Sequence, residues 1–396
     1  MQTYTRHLIC IITAVSAIFA NFGTYLHSQN TSSGYFKTNL EKARPLFRQD
    51  TLEICIIGDI MMHARQIAEA KCPDGSFDFS SYFSLISGKI SEADIAVANM
   101  EFTLAGEPYT GYPCFSAPDC LASYLAETGF DVFLAANNHI CDKGSKGVMR
   151  TISIYRALEK EGKIRLTGIA ENEEALRESH PLMIRKKGIS LAFVNFTYGT
   201  NCQMGTDWPK VNMMNDRRSL KEAMEKAGAA DFTIVLPHWG TEYRHRHSAE
   251  QEENAKWLAD NGADIIIGAH PHVVQDFRKL HINDGKKEKI VPVAYSLGNA
   301  VSNMSAPGTQ LELMAKIRIV RELNGDMRML PVEFIYLWCS GPGGYGKSFT
   351  VVPVSEFIGR RDEWTGAFDY DKMVQTYRKV IRETGIEDGY SEAIQY

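Results

Sequence analysis

Positive charge is scarce in this sequence: 43 Lys and Arg stand against 48 Asp and Glu, a net charge of −5 at pH 7. That removes the basic footprint of a nucleic-acid binder. An acidic ligand would need a local positive site, such as a bound metal. The eight cysteines include no CxxC pair, which argues against a zinc knuckle. Internal repeats and low-complexity tracts are absent. So is a phosphate-binding loop, because the glycine-rich segment 340–346 lacks GxxxxGK[ST] between a strand and a helix. That segment reads as a flexible loop.

What is present is ordinary globular material. A hydrophobic content of 44% over 396 residues supplies a sizeable core, in one large domain or two modest ones. Near the start, Arg6 and His7 precede an apolar run at 8–20. A short basic region followed by about 7–15 apolar residues is the secretory-signal pattern, and a membrane span needs about 20. Residues 1–27 therefore read as a signal peptide or, alternatively, an uncleaved N-terminal anchor. Residues 28–50 read as a polar linker, and the protein is expected at the periplasm or cell surface. Cys55 sits in an apolar strand and should be buried and unpaired. Cys72, Cys114, Cys120, Cys141 and Cys202 occupy loop-like contexts, where an oxidising compartment permits pairing of undefined connectivity.

Short apolar runs at 52–57, 95–98, 132–136, 191–196, 232–236, 265–267 and 291–296 lack clear alternation. Such runs suit strands buried on both faces. Amphipathic stretches at 118–128, 147–161, 216–227 and 248–261 predict helices between them, with Ser248 and Gln251 as a capping box. This alternation predicts an α/β fold with a mainly parallel sheet. The runs at 311–320 and 332–338 predict antiparallel strands, and 371–383 a terminal helix packed on the domain.

Each buried run ends in a polar group: Asp59, Glu101, Asn138-His139, His238, then His270 and His272. Ligands of open α/β sheets bind beyond the carboxyl ends of strands. Carboxylate, amide oxygen and imidazole together suit manganese, iron or zinc, as one or two divalent ions. Taken singly, Asp59 and Asn138 are ordinary turn residues and a strand-end histidine is ordinary structure. The series carries the signal. His270 and His272 can aim at one locus only if the backbone kinks, which Pro271 encourages. His245 and His247 read as a solvated loop or substrate-facing edge rather than a metal site.

The segments GDIMMH (58–63), NMEFTLAG (99–106), YPCFSAPD (112–119), AANNHICDKG (135–144), NFTYGTN (195–201), PHWGTEY (237–243), GADIIIGAHPHVVQ (262–275) and AYSLGN (294–299) resemble the bacterial capsule-synthesis CapA family of poly-γ-glutamate biosynthesis. That family is similar to calcineurin-like metallophosphoesterases. The resemblance implies a four-layer α/β/β/α sandwich over residues 51–355, with 356–396 as a helical extension. It implies Asp59, Glu101, Asn138, His238, His270 and His272 as metal ligands, with Asn99 as an alternative to Glu101. It also implies His139 acting on the reacting or leaving group. Two departures stand out: Met61 replaces the usual histidine two residues after the first aspartate, and the 99–101 segment replaces the bridging aspartate.

Two functions follow as expectations. One is a metal-dependent hydrolase at the cell envelope, cleaving a phosphoester or γ-glutamyl amide, with His139 and Glu242 as proton carriers. The other is a non-catalytic protein that binds or anchors an anionic polymer through the same site. Glu242 alternatively orients His238, and Trp239 and Tyr243 either line a groove or pack. A membrane-bound capsule-synthesis machinery is the expected partner.

Overall fold

The computed structural model describes residues 50–390 other than 204, 206, 284–287 and 323. The segment read as signal or anchor, and the linker up to residue 49, lie outside the described residues. The chain divides into two units, Met1–Asp50 and Thr51–Tyr396, and the fold below is that of the second.

Successive strand side chains point to opposite faces, and here both faces are apolar. In strand Asp50–Ile60, Leu52, Ile54 and Ile56 enter one core while Cys55 and Ile57 enter another. In strand Ile189–Thr197, Leu191 and Phe193 join the first of these cores, and Ala192, Val194 and Phe196 a third. Three apolar layers require four structural layers, so the chain forms an α/β/β/α sandwich. The absence of hydrophobic alternation in the sequence is the signature of this double burial.

One sheet runs Thr350–Pro353, Glu333–Ser340, Leu311–Arg321, Asp50–Ile60, Ile95–Met100, Val132–Leu134, Arg165–Thr167. The last four of these are mutually parallel, and the first three are antiparallel. The other sheet runs Phe277–Asn283, Glu288–Ala294, Ile265–Ile267, Phe232–His238, Ile189–Thr197, Leu182–Lys186, parallel except for its two edge strands. Helices Cys120–Thr128 and Gly144–Lys160 cover the first sheet through Leu121, Leu125, Val148, Ile152 and Tyr155. Helices Arg217–Ala227 and Ala249–Asp260 cover the second through Leu220, Met224, Ala255 and Leu258. The expected capping box forms: Gln251 N–H donates to Ser248 Oγ at 3.2 Å and Ser248 N–H to Gln251 Oε1 at 3.0 Å.

The terminal helix spans Ala367–Thr384 and sends Tyr370, Met373 and Val380 into the core between the sheets. The glycine-rich loop before it is tied down rather than flexible. Tyr345 N–H donates to Ser340 Oγ (2.7 Å), Ser340 Oγ–H to Asp369 (2.6 Å), and Gly366 N–H to Gly344 O (2.8 Å). A Cβ on Gly344 would lie 2.3 Å from the Asp369 carboxylate, so only glycine allows this approach. Among the described residues all seven cysteines are free thiols, with Cys55 buried as expected. No helix among them is long and apolar enough to cross a membrane.

Candidate metal centre

The strand ends converge. By register, Asp59 stands beside both Asn99 and Asn299 on flanking strands. Glu101 follows one strand later, its N–H bonded to Ile60 O at 3.0 Å. Asn137 ties the next loop to that strand by donating to Met100 O (2.8 Å) and accepting from His139 N–H (3.1 Å). From the second sheet come His238, the last residue of its strand, and His270 and His272 in the loop after Ile265–Ile267.

The kink expected at Pro271 is made by the histidines themselves. His270 and His272 have φ of 98° and 59°, left-handed values that are rare outside glycine and cost about 1–3 kcal/mol each. His270 N–H donates to Asp59 Oδ2 at 3.1 Å, which holds the turn against the first sheet. The result places the two rings 5.7 Å apart, with His238 4.8 Å from His270.

All these groups are buried, so their charges are unscreened. Burial would raise the Asp59 carboxyl, but the His272 hydrogen bond, the charges of His238 and His272 and the 2.7 Å bond from Asn99 hold it at about 2. Glu101 behaves oppositely. Burial, then repulsion from Asp59, pushes it well above the usual carboxylate range. Burial pushes His238 down to about 3 and His270 well below its ordinary value. Burial also opposes charge on His272, yet the Asp59 hydrogen bond raises it.

Among the described residues both Glu101 oxygens and His270 Nδ1 lack any hydrogen-bond partner. Buried polar atoms are rarely left so, and both residues belong to one group whose ligand atoms lie within 4.8 Å of one another. Three ligand groups arise, each with its atoms within 4.8 Å: Glu101–His238–His270, Asp59–Glu101–His272 and Glu242–His270–His272. Glu101 belongs to two of them. The donors supply carboxylate oxygen and imidazole nitrogen, which fit a borderline or hard divalent ion. His272 Nδ1 donates to Asn299 Oδ1 at 2.9 Å, leaving Nε2 free as a ligand. Asn138 Oδ1 lies 2.8 Å from His238 Nε2, which sets its amide oxygen beside the ligand groups.

His139 is not in a ligand group. Its Nδ1 donates to Asp142 Oδ2 at 2.8 Å, and the same oxygen accepts Phe115 N–H, which leaves Nε2, 3.4 Å from Asn201 Nδ2, as the accepting nitrogen. Glu242 faces His272 Nε2 at 4.0 Å, not His238, and is 40% exposed; His238 is oriented instead by Asn99 and Asn138. Of the alternatives at 99–101, Glu101 enters two carboxylate–imidazole ligand groups, and Asn99 Nδ2 donates to Asp59 Oδ1 at 2.7 Å and lies 3.2 Å from His238 Nδ1. Met61 lies in the apolar core. His63 caps helix Ala64–Ala70 through Gln66. Trp239 is core, its indole N–H on Tyr295 O, while Tyr243 is exposed with its ring 6.2 Å from His272. His245 and His247 are anchored rather than solvated: His245 Nδ1 meets Val274 O at 2.8 Å, and His247 bonds Asp276 and stacks on Tyr295 at 3.9 Å. Asn137, Asp142 and Asn299 received no role from the sequence, although each sits inside one of the recognised motifs.

A family model described as bacterial capsule synthesis protein PGA_cap matches residues 53–304. The chain belongs to this family. It is 32% identical over 269 residues to the capsule biosynthesis protein CapA of Bacillus anthracis, covering 64% of this chain and 60% of that relative. It is 24% identical over 300 residues to the PGA biosynthesis protein CapA of Bacillus subtilis strain 168, covering 72% and 73%. The match thus spans less than two thirds of the first relative's length. Among solved structures, the NAD nucleotidase NadN of Haemophilus influenzae matches at TM-score 0.45 and 12% identity, over 87% of this chain and 65% of that one. A 5′-nucleotidase precursor from Thermus thermophilus matches at TM-score 0.44 and 12% identity, over 84% and 59%.

Proposed function

We propose that this protein acts at the cell envelope in capsule or poly-γ-glutamate synthesis or export, as a metal-dependent hydrolase of the γ-glutamyl amide of its anionic polymer. One observation carries the reading: among the described residues the fully buried Glu101 carboxylate has no hydrogen-bond donor, and its Oε1 lies 3.8 Å from both His238 Nε2 and His272 Nε2. An uncompensated buried carboxylate costs several kcal/mol, and a cation relieves it. Asp59, Glu101, His238, His270 and His272 would hold one or two ions of manganese, iron or zinc, with Asn138 and Glu242 at the margin. When bound, such an ion supplies Lewis acidity toward water and toward developing negative charge. His139, held by Asp142, takes a proton at Nε2 from the attacking water and gives it to the leaving nitrogen. Asn201 Nδ2 lies 3.4 Å from His139 Nε2 and can orient the incoming group. Tyr198, 4.5 Å from His270 between ring centres, walls the site on the solvent side.

Metal content combined with turnover tests this. The purified protein is expected to retain a divalent ion and to cleave γ-glutamyl oligomers, with phosphoesters assayed alongside as the other substrate class suited to such a centre. His270→Ala together with His272→Ala should lose the ion. A wild-type protein that is metal-free, and whose ligand binding ignores chelators, would sink the proposal. A metal-loaded protein without turnover on either class would leave polymer binding or anchoring as the function.

A further inference from the structure

Beside the metal centre lies a second concavity, of ≈ 500 Å³, a volume typical of ligand pockets. One wall is the 302–305 segment and another the anchored glycine loop, with Arg65, Lys372 and Phe368 at its margin. The wall it shares with the metal centre is specific. Asn299, which holds His272, donates to Ser302 Oγ at 3.2 Å and contacts Met304 Sδ at 3.3 Å. His63 accepts from Asn303 N–H at 3.3 Å on the groove side. Its ring sits edge-on to Phe115 at 5.2 Å, and Phe115 contacts His139 at 4.7 Å. The groove therefore connects to the metal centre through Ser302, Asn299 and His272 on one path and through Asn303, His63, Phe115 and His139 on another.

Its charge runs against that of the whole chain. Arg65 and Lys372 are the cations of the lining and Asp369 its one acid. Asp369 is turned inward, accepting Ser340 Oγ–H at 2.6 Å and Trp338 Nε1–H at 3.3 Å. Lys372 bonds Gln310, a neutral partner. Arg65 meets Glu69 only at 3.8 Å, with both side chains exposed, an arrangement of little strength. Phe368 is 81% exposed at this rim, a large apolar ring turned to solvent. The floor is held open by close-packed glycines: a Cβ on Gly366 would meet Gly343 O at 2.3 Å.

We propose that this groove is a subsite for an extended anionic chain, holding carboxylates of the polymer outside the metal centre. Arg65 and Lys372 pair with those carboxylates, and Phe368 covers the aliphatic part of the chain. This rests on the polymer reading above but makes a separate demand, since binding here requires no turnover and no metal ligand.

The test measures binding of fluorescent penta-γ-glutamate to the full chain by anisotropy, with pentaglutamine as the neutral control. Arg65→Ala with Lys372→Ala should weaken binding about tenfold, with metal content unchanged. Ser305→Glu, which adds a negative charge at an exposed lining position, should weaken it as well, and Phe368→Ala should do so without changing its salt dependence. Unaltered affinity in the double variant and in Ser305→Glu would overturn the subsite. So would equal binding of pentaglutamine. A groove-dependent affinity in a protein that holds no metal would instead overturn the hydrolase reading and leave the subsite standing.

Discussion

Replacing Glu101 by Gln should change stability in opposite directions with and without metal. Glu101 is fully buried beside Asp59, and among the described residues neither oxygen has a donor. Its folded-state pKa is raised well above 4.5 by burial and by Asp59. A carboxyl raised in this way contributes stability that is complete below its ordinary value and is lost as pH rises toward the folded value. Each pH unit inside that window costs about 1.4 kcal/mol. Between pH 5.5 and 7.5 the metal-stripped wild type should therefore lose up to about 3 kcal/mol relative to Glu101→Gln. His238 and His270 run the other way. Their folded values are depressed, so their stability is present above 6.5 and is lost as pH falls. Both remain in the variant, so the difference reports Glu101 together with its coupling to these two histidines. With metal restored the order should reverse, because an ion at a thousandfold excess over its Kd stabilises the wild type by about 4 kcal/mol and the variant by far less. Urea denaturation of both proteins at the two pH values, with chelator and with metal, measures all four terms. A pH-independent difference in the stripped proteins, or equal stabilisation of both by metal, would refute the reasoning.

Asp142→Asn should lower turnover by about 10²–10⁴-fold, since it removes the negative charge that stabilises protonated His139 and permits the amide to present a donor to Nδ1; metal content measured in parallel should not move. Asn299→Ala leaves His272 Nδ1 without its 2.9 Å partner and should weaken metal affinity about 10–100-fold, read by competition with a chromogenic chelator. Gly58→Ala should destabilise the fold by about 3 kcal/mol or more in denaturant titration, because the new Cβ would lie 1.9 Å from Gly298 O in the turn that presents Asp59.

Much of this was legible from residues alone. The runs at 52–57, 191–196 and 265–267 announced strands buried on both faces, and the polar residues ending them are the ones that meet. The capping box at Ser248 and Gln251 was readable because both partners lie within one helical turn. Less local features were not. The choice between Asn99 and Glu101 depends on which face of a strand end meets the other sheet. Asn299 and His272 are 27 residues apart in sequence, and their bond exists only because two sheets stack. Nothing in the spacing of 340–346 revealed that Ser340, Asp369 and Gly366 pin that loop to the terminal helix.

By itself the sequence determined which runs are strands buried on both faces, where they end and the set of donor atoms available, because burial pattern and residue type are local properties, whereas the four-layer order was implied only by the family resemblance. The tertiary structure alone decided which donors share a centre and which only support it. It brought Asp59 and Glu101 from one sheet to His238, His270 and His272 from the other, and it left Met61 in the core. The physical reason is that ligand convergence depends on the stacking of two sheets and on left-handed turns at His270 and His272, and neither is encoded by any short stretch of chain.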